Sequence, residues 1–102
     1  MIILRQKMNS KSDKSDELMA GLADIIGPAR ETKGVISFDI ARVLLEPHSF
    51  IATAIYEDGG ALERQESSPE VHRAMARFRD WLAAPPERMI YDASRDPGLV
   101  QP

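Results

Sequence analysis

An α+β fold on one antiparallel sheet of four strands is what the periodicity of this chain predicts. Two stretches, residues 35–44 and 50–56, put β-branched or apolar side chains at nearly every second position. Leu18, Leu22, Ile25, Ile26 and Ala29 recur at three- and four-residue steps, as do Val71, Ala74, Met75, Phe78, Trp81 and Leu82. A short apolar run opens the chain at residue 2, and another, Met89-Ile90-Tyr91, lies within a last strand at 87–92. The order β-α-β-β-α-β is the ferredoxin-like plan.

The first strand is expected at residues 2–8. Its Arg5-Gln6-Lys7 segment is more polar than the later strands, which suits a solvated edge or a pocket-lining place. A polar connection, 9–13, leads into a helix at 14–31. Asp13, Asp16 and Glu17 lie at its positive end and Arg30 and Lys33 near its negative end, both favourable to the helix dipole. Pro28 removes a backbone donor and is expected to kink the last turn. Gly34 suits the stop.

Glu46-Pro47-His48-Ser49 is turn chemistry between the second and third strands. Asp58 is the natural N-cap of a short helix at 59–66. Ser68 caps a longer one, with Pro69 at its first position. Pro85-Pro86 ends that helix, and the last strand follows.

One domain, 1–93, with a tail at 94–102, accounts for the 102 residues. A net charge of −3 gives no electrostatic footprint for nucleic acid or an anionic membrane. Ile2-Ile3-Leu4 is far too short for a signal peptide or a membrane span, so the chain is expected to be complete at this end. There is no cysteine, which fits the cytoplasm and leaves no thiolate or disulfide chemistry.

Ile36, Phe38 and Ile40 alternate with Val35, Ala41 and Val43, and Phe50, Ala52, Ala54 and Tyr56 with Ile51, Thr53 and Ile55. Both faces of these strands are thus apolar. The available helices cover one face, and a homodimer is expected to cover the other.

The stretches GVISFDI, IYEDGGALERQESSPEV and PPERMIYDA carry a resemblance. From residue 1 to about 92 the chain resembles the antibiotic biosynthesis monooxygenase family of small dimeric α+β barrels. That family contains oxygenases, isomerases and proteins of unknown activity. The resemblance implies a dimeric α/β barrel acting without cofactor as a monooxygenase on a small aromatic or quinol-type molecule. It leaves open a non-catalytic binder of the same fold, or an isomerase.

Cofactor-free oxygenation needs a dry pocket, a base and a hydrogen bond to a developing oxyanion. Tyr56 stands where relatives commonly have tryptophan; its hydroxyl either points at a ligand or reaches solvent or backbone. Gln65 stands where many relatives have histidine. It is either a ligand-holding amide or a solvated helix residue, and it cannot act as a base. Met75 lies where haem-degrading relatives have a histidine ligand, so haem is not expected.

His48, in a turn, is a candidate proton carrier or a solvated side chain. His72 borders a pocket or faces solvent from the flank of its helix. Arg42 is an anion clamp or an interface ion-pair partner, and Asp39 a base or the same. Phe38, Met75 and Phe78 are expected to line a pocket with Tyr56 between sheet and helices. With only two histidines no metal-ligand spacing is legible.

Overall fold

The computed structural model describes residues 1–93; the tail at 94–102 lies outside the described residues. Seven elements follow in order: β1 (Ile2–Asn9), α1 (Ser15–Glu31), β2 (Val35–Arg42), β3 (Ser49–Tyr56), α2 (Gly59–Ser67), α3 (Pro69–Phe78) and β4 (Glu87–Asp92). The strands form one antiparallel sheet in the order β2-β3-β1-β4. This is the ferredoxin-like α+β arrangement.

The register sorts the side chains. Leu4 and Phe38 both pair with Ala54, and Met8 pairs with Phe50, so these residues share one face. That face meets Leu18, Leu22, Ile25 and Ala29 of α1 and Ala74 and Phe78 of α3 in a single buried core. Gly21 of α1 lies against the end of α3 and the turn after it, with no room for a side chain. A Cβ built there would lie 2.8 Å from Phe78 and 2.9 Å from Trp81.

The caps form as the residue types dictate. Asp58 accepts from the Ala61 amide at 2.9 Å, and Ser68 from the Val71 amide at 3.2 Å. Each such cap contributes about 1 kcal/mol. Gly34 takes φ +90 between α1 and β2, a conformation strained for any residue with a Cβ.

Four features depart from the sequence pattern. β1 is an interior strand, not an edge, because β4 pairs along its other side. β2 ends at Arg42, and Leu44 and Leu45 sit at the turn tip, 93% and 90% exposed. A bulge between Val35 and Ser37 re-phases β2. Val35 therefore packs on the core, and Ile36 is 49% exposed instead of sharing the face of Phe38. Finally, α3 stops at Phe78. Trp81 and Leu82 belong to the following turn, because Lys11 donates to the Trp81 carbonyl and Ala83 to that of Asn9, both at 2.8 Å. Those two bonds hold the backbone beside the end of β1.

The opposite face of the sheet, where Ile3, Ile51 and Ile55 lie, receives none of the described helices. The molecule is 20 Å across its shortest dimension, the depth of two layers at about 10 Å each. Among the described residues no helix is long and apolar enough to cross a membrane.

Candidate functional site

Between the sheet and the helices lies a cavity of about 50 Å³. Its floor is Leu4, Gln6 and Met8 of β1, Phe38 and Ile40 of β2, and Ala52 and Tyr56 of β3. Leu22 and Ile25 close one side; Val71, Met75 and Phe78 close another. Gln65 and Glu66, at the end of α2, complete it. The walls are apolar, and Gln6, Tyr56, Gln65 and Glu66 supply the polar atoms.

Tyr56 is fully buried and Gln65 is 4% exposed. The Tyr56 hydroxyl donates to Oε1 of Gln65. The sequence pattern admits a Tyr56 hydroxyl on ligand, solvent or backbone, and a Gln65 that holds a ligand or stands in water. The structure instead gives each the other as partner. Burial pushes the Tyr56 hydroxyl well above its ordinary acidity range; the charge of Glu66 adds to this and that of Arg88 opposes it. The hydroxyl is therefore neutral throughout the physiological range and cannot serve as a base.

Glu66 is bonded through Oε1 to Arg88 of β4, with both side chains more than a third exposed. In the β1–β4 register Arg88 pairs with Gln6. The ion pair thus ties the end of α2 to the edge strand beside the polar end of the cavity. Gln6, Glu66 and Arg88 carried no local signal in the sequence. Only the polarity of β1 hinted at the first.

The other candidates lie elsewhere. His48 is exposed in the β2–β3 turn, at the far end of β3 from Tyr56. At about 3.3 Å per residue the separation is roughly 25 Å. Its Nδ1 bonds to the Ser15 hydroxyl at 2.5 Å, and Ser15 meets the Ser10 hydroxyl at 2.6 Å. Arg42, at the same end, donates to the Pro47 carbonyl at 3.0 Å and lies over the Phe50 ring. His72 is exposed on α3, and Asp39 accepts from Arg30 at 3.0 Å. Phe38, Met75 and Phe78 come together with Tyr56 and Gln65; His48, His72 and Arg42 do not. No group of three or more described His, Asp or Glu side chains converges as metal ligands.

The family model for antibiotic biosynthesis monooxygenase matches residues 1–77. An uncharacterized protein of Synechocystis sp. is 29% identical over 90 residues, or 88% of this chain. The chain spans only 61% of the length of that curated relative. A solved structure from Nitrosomonas europaea, named for the same monooxygenase family, superposes with a TM-score of 0.88 at 18% identity. It covers 93% of this chain and 100% of its own. Rv0793 from Mycobacterium tuberculosis also gives 0.88 at 18% identity, over 95% and 98% of the two chains. A conserved protein from Methanosarcina mazei gives 0.84 at 21%, over 88% and 89%. At these identities the structural likeness speaks for the fold.

Proposed function

This chain belongs to the antibiotic biosynthesis monooxygenase family, and from that premise we propose that it binds a small aromatic or quinol-type molecule behind Tyr56 and oxygenates it without a cofactor. The observation that carries the reading is the buried Tyr56–Gln65 pair at one end of a mostly apolar cavity. A ring fits apolar walls, and a few placed polar groups fix its orientation. For a hydroquinone the sum is one O₂ consumed: one oxygen enters the ring, the other leaves as water, and a hydroxyquinone remains.

The cavity of about 50 Å³ is smaller than the roughly 150 Å³ that accommodates benzene in an engineered protein core. Met75, half-buried on the wall, is the side chain best suited to give way, being unbranched with three rotatable bonds. Oxygen uptake with a panel of hydroquinones tests the reading. Steady uptake with release of the hydroxylated quinone supports it, and binding without uptake overturns the catalytic half.

One observation favours a non-catalytic binder as the second reading. The Tyr56 hydroxyl is engaged by Gln65, and neither side chain can take a proton. The isomerase alternative draws no such support, since Arg42 stands at the far end of the sheet. The proposal includes a cytoplasmic homodimer that meets neither nucleic acid nor membrane. Its two open sheet faces, each bearing Ile3, Ile51 and Ile55, would pack on one another as a dimeric α/β barrel.

A further inference from the structure

We propose that Glu66 is the proton acceptor of the Tyr56 cavity, held in place by Arg88, and that the ligand therefore presents an acidic O–H at this end. The inference rests on the cavity being the ligand site, as proposed above. Making an electron-rich anion from a phenol or hydroquinone requires something to remove its proton. Gln65 has no basic form, and Tyr56 is neutral with its hydrogen already given to Gln65. His48 lies at the other end of β3. Glu66 is the one carboxylate on the wall.

The surroundings suit that part. Arg88 grips one carboxylate oxygen through a charge-assisted bond, which fixes the side chain and leaves the second oxygen for a ligand. Both residues lie close enough to Tyr56 for their charges to act on its hydroxyl. The oxygen of the Gln65 amide accepts from Tyr56, which leaves the nitrogen to donate to the ligand oxygen. In the step itself the ligand O–H bond breaks, its electron pair stays on the ligand oxygen, and a new O–H forms on the carboxylate. The Glu66 side chain is 38% exposed, so the proton has a way out to solvent.

The charged or titratable groups facing this point are Glu66 from α2, Arg88 from β4 and Tyr56 from β3. The wall residues of β1, β2, α1 and α3 include none. A bound phenol thus reports mainly on Glu66 and Arg88. The test is an absorbance titration of 4-nitrophenol bound to the wild-type chain, Glu66→Gln and Arg88→Gln, with melting curves to show that each variant folds.

A carboxylate beside the probe disfavours phenolate, so the bound probe should titrate roughly one unit higher in wild type than in Glu66→Gln. Arg88→Gln, which removes the compensating positive charge, should raise it further. Equal titration in wild type and Glu66→Gln, or no binding to either, overturns the inference. Oxygen uptake is scored separately. A probe shift without uptake retires the monooxygenase reading and keeps Glu66 beside the ligand oxygen, while uptake unaltered by Glu66→Gln overturns Glu66 as acceptor and keeps the monooxygenase reading.

Discussion

The hydroxyl of Tyr56 and the amide oxygen of Gln65 are each other's partners inside the protein, joined from the end of β3 to the end of α2. Each would otherwise be a buried polar group without a partner. Tyr56→Phe should therefore lower stability by about 1–3 kcal/mol, by leaving the Gln65 oxygen unpaired. Adding Gln65→Leu should recover much of that loss, because the lone acceptor goes too. Chemical denaturation of wild type and the two variants measures both effects. If the oxygenase reading is right, turnover should stay roughly 10- to 1000-fold down in both.

Alkaline pH should weaken the fold through the same hydroxyl. The folded chain holds the Tyr56 proton more tightly than the unfolded chain does. The resulting stability is fully present below the unfolded value of about 10 and falls as pH rises through the folded one. Melting temperatures from pH 8 to 11 should decline less in Tyr56→Phe than in wild type.

Gly21→Ala should destabilise by about 1–3 kcal/mol, although alanine is the better helix former. The added carbon meets the rings of Phe78 and Trp81 at under 3.0 Å. Pairing it with a smaller residue at Trp81 should restore part of the loss in a thermal melt.

Ile51→Glu tests the open sheet face. Wild type should scatter light as about twice 11.4 kDa at micromolar concentration, and the variant as a folded monomer. Ile51 lies outside the buried core, so far-ultraviolet circular dichroism should be unaltered. A wild-type monomer would sink the dimer.

Met75→Ala should tighten the binding of hydroquinone, measured by calorimetry, since the space Met75 must vacate is then already open. Weaker binding would mean that Met75 is a contact and not a movable wall.

Much of the fold was legible because its signals are local. Asp58 and Ser68 act three residues from their partners, and the helical and strand periods are read within one element. The misses are non-local. Trp81 and Leu82 keep the helical spacing, yet Lys11 and Asn9, some 70 residues earlier, claim that backbone. Ile36 could not be seen as the extra residue of a bulge, since Val35 beside it is just as apolar. The candidate site shows the same division. Tyr56 and Gln65 stand out by residue type, whereas Gln6, Glu66 and Arg88 meet only when β1, α2 and β4 do.

The bulge at Ile36 makes β2 unusually tolerant of a shortened chain. A strand is a two-letter frame of inside and outside, and removing one residue normally inverts everything up to the next turn. At Ile36 the frame already carries a surplus letter. Its loss would leave Val35 opposite Tyr56 and Ser37 opposite Ile55, as they are now. Loss of Phe38 would also use up the surplus, but it would set Ser37 opposite Ala54 and strip the cavity of a wall. Loss of Ile36 should therefore be nearly silent, whereas loss of Phe38, two residues further on, should cost the core its largest β2 side chain.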